Sequence, residues 1–176
     1  RGTSTRPVKT FAEAYKMVVT GGTIHLASGT DVDVLPCSAV DAIVKELTVR
    51  GAGATVSKIR NVEHHATLLL ADLTVEDIAS KSNLELLNCS VMGTLTAQAN
   101  NQRIFFNNTN YTGLEYAFTG NTSTDFLTLD IGTSSIGLNP VVTPGMANNT
   151  VGDTIHVVTL YRDVKTVSVS DPSTLS

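Results

Sequence analysis

The segment ADLTVEDI, residues 71–78, places Asp72, Glu76 and Asp77 close together in the chain. Glycoside cleavage uses two carboxyl groups that face each other across the scissile bond, one as acid and one as base or nucleophile. Asp72 and Glu76 are an even number of residues apart and would share one face of an unbroken strand. Their Cβ atoms would then stand more than roughly 10 Å apart at about 3.3 Å per residue, too wide for a retaining pair unless the chain turns between them. Solvated acids around a corner are the expectation for this group. Asp31 and Asp33 in GTDVDV share a strand face and offer two of the several oxygens that Ca²⁺ requires. With no third ligand evident nearby, they are expected to form an exposed polar stripe opposite Val32 and Val34. His64 and His65, beside Glu63, are the best transition-metal candidates, but strand alternation sends the two rings to opposite sides, so only one joins any given site. Satisfied surface or loop histidines are expected.

Signatures of other chemistries are missing. The chain contains no GxSxG, HExxH, Walker or dinucleotide motif. The glycine-rich RGAGATVSK lacks the spacing and Lys-Ser/Thr ending of a phosphate loop and reads as the turn from one coil into the next. Glycosylation sequons begin at Asn88, Asn107, Asn110, Asn121 and Asn148, a number that an Asn-, Thr- and Ser-rich chain generates by chance. Cys37 and Cys89 each lack the neighbouring cysteine of a metal or redox motif, so two buried free thiols are expected rather than one disulfide. No cofactor is expected.

The elements that would position these residues are strands. The chain has 176 residues, one domain's worth, and carries 12 Lys+Arg against 16 Asp+Glu, a formal charge of −4. Its 25 Thr, 20 Val and 8 Ile make about 30% of it β-branched, which favours extended backbone. Hydrophobic residues at 41% argue against disorder, while only 16% charged residues means a surface built largely from neutral polar groups. Mild acidity, no basic run and 5% aromatics exclude the usual footprint of a nucleic-acid binder. Apolar runs such as ATLLLA fall far short of the roughly 18 to 20 residues that span a bilayer, so no membrane insertion is expected. The opening RGTSTRPVKT, without Met or an apolar leader, reads as a processed chain or a fragment.

One helix is expected. In TFAEAYKMVVTGG, Thr10 and Glu13 have capping-box spacing, Phe11, Ala14, Tyr15 and Val18 recur near helical spacing, and Gly21 and Gly22 stop the run. TIHLASGT and DVDVL then alternate as half-buried strands about a turn at Gly29. The string FAEAYKMVVTGGTIHLASGTDVDV, about 25 residues, resembles the opening of right-handed parallel β-helix proteins of the pectate-lyase-like and phage tail-spike type. That resemblance implies a helix capping the solenoid and a first coil formed by the GG-T-I-x-L-x-x-G-T segment.

The remainder reads as short strands between polar or glycine turns. Aligning apolar pairs puts Leu69-Leu70 over Leu86-Leu87 and Phe105-Phe106, at steps of 17 and 19 residues, with Leu127 to Leu129 about 22 further on. Such a unit has the size of one solenoid coil. The same alignment stacks Ala71-Asp72, Asn88-Cys89 and Asn107-Asn108, in which Asn at a corner suits left-handed backbone and Asp72 interrupts the series. The fold expected is all-β: a short right-handed parallel β-helix with an N-terminal capping helix, with a β-sandwich as the competing architecture. Residues 1–9 read as an extension, 10–135 as cap and coils, and 136–176 as an irregular region with terminal strands and a possible assembly contact.

The function expected from these readings is a noncatalytic viral, phage-like structural module such as a capsid decoration, fibre or tail-spike domain, located on the virion. Its expected partners are copies of itself, in a trimer, and other virion proteins. The alternatives are a glycan-binding or polysaccharide-cleaving spike, with a groove lined by Asp72, Glu76, Asn107, Asn108 and Tyr111, and a secreted or cell-surface bacterial adhesin solenoid.

Overall fold

The computed structural model describes residues 2–34, 42–99, 102–116, 127–130, 134–140, 157–158 and 166–169. Helix α1 (Phe11–Met17) starts at a capping box: the Thr10 hydroxyl accepts from the Glu13 amide at 3.2 Å and the Glu13 carboxylate accepts from the Thr10 amide at 3.3 Å. Phe11, Ala12 and Tyr15 turn inward and join the core, with the two rings stacked 6.2 Å apart. Lys45 Nζ donates to the carbonyls of Tyr15 at 2.9 Å and Val18 at 3.1 Å, satisfying acceptors that the helix end leaves open. The two glycines beyond serve different needs. Gly21 has φ +78, and a Cβ on Gly22 would come within 2.6 Å of a Val18 methyl.

Fifteen strands are described: β1 (Gly22–His25), β2 (Asp31–Asp33), β3 (Leu47–Arg50), β4 (Lys58–His64), β5 (Leu68–Ala71), β6 (Thr74–Ser80), β7 (Leu84–Leu87), β8 (Ser90–Val91), β9 (Leu95–Ala97), β10 (Gln102–Asn107), β11 (Tyr111–Tyr116), β12 (Leu127–Asp130), β13 (Ser135–Pro140), β14 (Val157–Val158) and β15 (Thr166–Val169). They alternate between two sheets. One runs β1-β3-β5-β7-β10-β12-β14 and the other β2-β4-β6-β9-β11-β13-β15, with β8 beside β6. Every strand pair is parallel, as a coiling chain gives and the antiparallel hairpins of a β-sandwich do not. The described residues are therefore mostly β, with one short helix, wound as a parallel β-solenoid of about three regular turns. The described parts of residues 136–176 extend both sheets in parallel pairing.

Inward side chains form a continuous core. Leu68, Leu70, Leu84, Leu86, Ile104 and Phe106 come from one sheet and Ile59, Val62, Val75, Ile78, Leu95 and Leu114 from the other, all buried. The register corrects the alignment of apolar pairs by one residue. Leu86 lies between Leu70 and Phe106 in the stack, with steps of 16 and 20 residues, while Leu69, Glu85 and Phe105 form the outward column. A slip of one residue would turn the core column outward, which is why burial selects this register.

RGAGATVSK, expected to turn one coil into the next, instead joins β3 to β4 within a single turn of the solenoid. Its Gly51 lies so close to the next turn that a Cβ would stand 2.4 Å from the Asp72 carbonyl oxygen. Among the described residues, no helix is long and apolar enough to cross a membrane.

Candidate functional site

The corners carry the most ordered polar chemistry. Asp72, Asn88 and Asn108, one from each of three successive turns, all take left-handed backbone with φ 56, 51 and 47. Residues with short polar side chains tolerate that conformation best after glycine. Asn108 Nδ2 donates to Asn88 Oδ1 at 2.9 Å, Asn88 Nδ2 donates to Asp72 Oδ1 at 3.1 Å, and Arg50 Nη1 donates to Asp72 Oδ2 at 2.9 Å. Asp72 thus anchors the ladder that the sequence reading had it interrupt. The carboxylate serves the same geometric role as an asparagine and gains an arginine besides.

A second corner splits the other sheet. Asn61 and Asp77 interrupt β4 and β6 with φ 54 and 56. Asn61 Nδ2 donates to Asp33 Oδ1 at 2.8 Å, and Asp77 Oδ1 accepts from the Thr94 amide at 2.9 Å. At Gly93, a Cβ would stand 2.6 Å from that same Asp77 oxygen.

The carboxylates proposed for catalysis stand on different parts of this framework. Asp72 is engaged by Arg50 and Asn88, whereas Glu76, on the outer face of β6, forms an ion pair with Lys58. The chain turns between them at Asp72, and each is committed to its own cation. Asp31 and Asp33 are likewise held by a cation of the chain: Arg60 Nε lies 3.2 Å from Asp31 Oδ1 and 3.7 Å from Asp33 Oδ2. The position between these two carboxylates is filled by a guanidinium. On the outer faces of β2, β4 and β6, charges therefore alternate from acid to base to acid.

The candidate ligand-binding residues are also engaged. The Asn107 carbonyl accepts from the Asn88 amide at 2.9 Å and Asn108 closes the corner ladder. The Tyr111 hydroxyl donates to the Gly93 carbonyl at 2.8 Å and accepts from the Leu95 amide at 3.0 Å, clamping the turn before β9.

The histidines separate as strand alternation requires, but with a correction. His64 is fully buried rather than at the surface or in a loop. Its Nδ1 lies 2.8 Å from the Ala66 carbonyl and its Nε2 lies 2.7 Å from Ser80 Oγ, so Nδ1 carries the proton and Nε2 faces the hydroxyl. Burial lowers the imidazole pKa to about 4. A serine bonded to a neutral imidazole has the makings of a nucleophile and its base. Both groups, however, have 0% exposure, and Gln102 donates to the same hydroxyl, so no substrate reaches it. His65 is exposed and pairs with Glu63 at 2.6 Å, as does Lys81 at 2.7 Å; these bonds hold the Glu63 carboxyl below its usual range.

Among the described residues, no group of three or more His, Cys, Asp or Glu side chains is placed to hold a metal ion. Cys89 is a buried free thiol whose Sγ donates to the Leu70 carbonyl at 3.2 Å, and burial pushes its pKa up to about 11. Cys37 and the sequons at Asn121 and Asn148 lie outside the described residues.

Two hollows remain. One, of about 540 Å³, lies between the N-terminal segment, α1 and β1, with Pro7, Met17, Ile24 and His25 among its lining. A shallower one, of about 290 Å³, lies on the outer face of the first sheet between Thr67, Asn83, Leu84, Glu85, Arg103 and Phe105.

The buried set His64, Ser80 and Gln102 and the Asn61/Asp77 corner escaped the sequence reading. A signal was present: Asn61 and Asp77, His64 and Ser80, and Asp72 and Asn88 are all polar pairs separated by 16 residues, the step that also takes Leu68 to Leu84. Comparison with protein-family models, with curated proteins and with solved structures returns no match.

Proposed function

We propose that this chain is a noncatalytic structural solenoid, a rigid module of a larger, phage-like particle. The observation that carries the noncatalytic part is the engagement of its candidate acids: Asp72 with Arg50 and Asn88, Glu76 with Lys58, and Asp31 and Asp33 with Arg60. General acid–base work needs a carboxyl group free to exchange its proton with substrate, and each of these is tied into the scaffold. The winding is right-handed, the hand that parallel β-crossover-β connections almost always take. In this reading α1 caps the first turn, with Phe11 and Tyr15 covering its apolar end. The viral, tail-spike or capsid assignment rests on the resemblance of residues 10–34, and self-association as a trimer belongs to the same reading. Sedimentation of the purified chain tests it: a trimer is expected, and a monomer at tens of micromolar would oppose it.

A second reading, a glycan-binding spike, is favoured by the hollow at Thr67, Asn83, Glu85, Arg103 and Phe105, which gathers a hydroxyl, an amide, a carboxylate, a guanidinium and a ring. Those are the groups that engage sugar hydroxyls and the apolar face of a pyranose. Depolymerisation of a polysaccharide panel, lost in Asp72→Asn or Glu76→Gln, would replace the noncatalytic reading. Binding without cleavage, lost in Phe105→Ala, would support the second.

A further inference from the structure

The first sheet ends at β1, whose strand neighbour among the described residues is β3. The Leu26 amide donates to the Arg50 carbonyl at 2.8 Å, which fixes the parity of the ladder. Along a parallel strand alternate residues turn their N–H and C=O groups to the same neighbour, so Ile24 and Leu26 face β3 while Thr23 and His25 face away from it. Thr23 and His25 are both exposed. An edge of this kind is a template for a further strand.

Beside that edge lies the larger hollow, whose volume of about 540 Å³ is that of a ligand site. Its apolar lining comes from Pro7 and Val8, from Ala14, Met17 and Val18 on and just after α1, and from Ile24 of β1. The part of the chain that builds it is basic. Residues 1–20 carry four basic residues against one acid, whereas residues 21–176 carry 8 against 15. Arg6 and Lys9 flank Pro7 and Val8 in sequence; with Lys16 they are exposed and form no ion pair among the described residues. In the coils, by contrast, Arg50, Lys58, Arg60 and Lys81 each face a carboxylate.

We propose that the open edge of β1 and the adjoining hollow bind an extended segment of another protein, in which apolar residues that enter the hollow alternate with acidic ones that meet the basic N-terminal end. In such strand addition the main-chain groups of Thr23 and His25 supply affinity and the hollow selects side chains. The alternation of this kind at the start of the chain itself, Asp31 to Val34, is already taken up by β4 and Arg60, which points to a different protein rather than a second copy. The proposal holds whether or not the chain belongs to a phage-like particle.

The test is amide hydrogen exchange on the full chain, titrated with a capped Val-Asp-Val-Asp-Val-Asp peptide and, separately, with its Val-Lys counterpart. By mass action, the Thr23 and His25 amides should exchange about tenfold more slowly once the acidic peptide reaches roughly ten times its dissociation constant, while the Val49 amide, inside the sheet, is unchanged. The lysine peptide should bind at least about fivefold more weakly, as should the acidic peptide to Arg6→Glu/Lys9→Glu. Thr23→Pro should abolish protection at His25 and still fold, because the amide it removes faces away from β3. If that variant does not fold, the charge-reversed variant decides alone. Unchanged exchange at Thr23 and His25 up to about 2 mM acidic peptide, or equal binding of the two peptides, overturns the proposal. Protection without peptide that grows with protein concentration would put a second copy on the edge and overturn it as well.

Discussion

Asn88 donates to the carboxylate of Asp72 across 3.1 Å between successive turns, and both residues hold left-handed backbone at the same corner. One relationship therefore does two jobs: it satisfies polar groups at the end of a strand and sets the turn that sends the chain to the other sheet. With Arg50 below and Asn108 above, it makes a polar seam along the solenoid that parallels the hydrophobic one inside.

Replacing Asn88 separates the two jobs. Asn88→Ala loses the side-chain bonds and keeps a Cβ in left-handed backbone, and is expected to cost about 2 to 3 kcal/mol. Asn88→Gly loses the same bonds without the backbone penalty, and should cost roughly 1 kcal/mol less. Urea denaturation of the two variants measures the difference; equal losses would remove the backbone from the explanation.

Gly93 tests the second corner. A Cβ there would stand 2.6 Å from Asp77 Oδ1 and 2.7 Å from the Asp77 amide nitrogen. Gly93→Ala is expected to destabilise by about 1 to 3 kcal/mol through forced displacement of the corner. Because Asp77→Ala removes one of the two clashing atoms, the double variant should lose less than the sum of the singles.

Stability should fall with acid in a window set by His64. Its pKa is about 4 in the folded protein against 6.5 ordinarily, so the unfolded chain binds a proton first as the pH drops. The contribution is fully present above pH 6.5 and is lost toward pH 4, at up to about 1.4 kcal/mol per pH unit and roughly 3 kcal/mol in all. Glu63 acts lower: its depressed pKa contributes stability above about 4.5 that disappears as the pH falls further. Urea unfolding at pH 7, 5.5 and 4, with His64→Gln alongside, checks the window; a wild type as stable at pH 4.5 as at pH 7 would refute it.

Much of this architecture is readable from residues, and the exceptions have physical causes. The Thr10–Glu13 spacing and the glycine pair after α1 are local signals, decided within a few residues. Register is not local. TLLLA and RIFF contain adjacent apolar residues, so parity does not reveal whether Leu69 or Leu70 faces inward, and only the stacking of turns settles it. Asp72 reads as a break because its charge differs from that of Asn88, yet what the corner selects is a short acceptor-bearing side chain in left-handed backbone. His64 reads as a surface residue because its partners, Ser80 and Gln102, come from other turns. Without the 16-residue step nothing near it in sequence predicts that it can be buried satisfied.

Cys89 should behave as a core residue. Its thiol is buried and its pKa is pushed up to about 11. In a Cys37→Ser background, a thiol reagent at pH 8 is expected to leave the folded protein unmodified and to label one thiol after denaturation. Rapid labelling of the native protein would contradict the packing around β7.

The stacking of turns is the claim on which the rest depends. Thr23, Thr48, Leu69, Glu85 and Phe105 form one outward column across five parallel strands. Spin labels at Thr23→Cys and Phe105→Cys, again with Cys37→Ser, give the distance between its ends by pulsed electron–electron resonance. Four inter-strand spacings predict a backbone separation of roughly 19 Å, broadened by the label arms. A distribution centred beyond about 30 Å would contradict the stacking, since no column of adjacent parallel strands reaches that length in four steps.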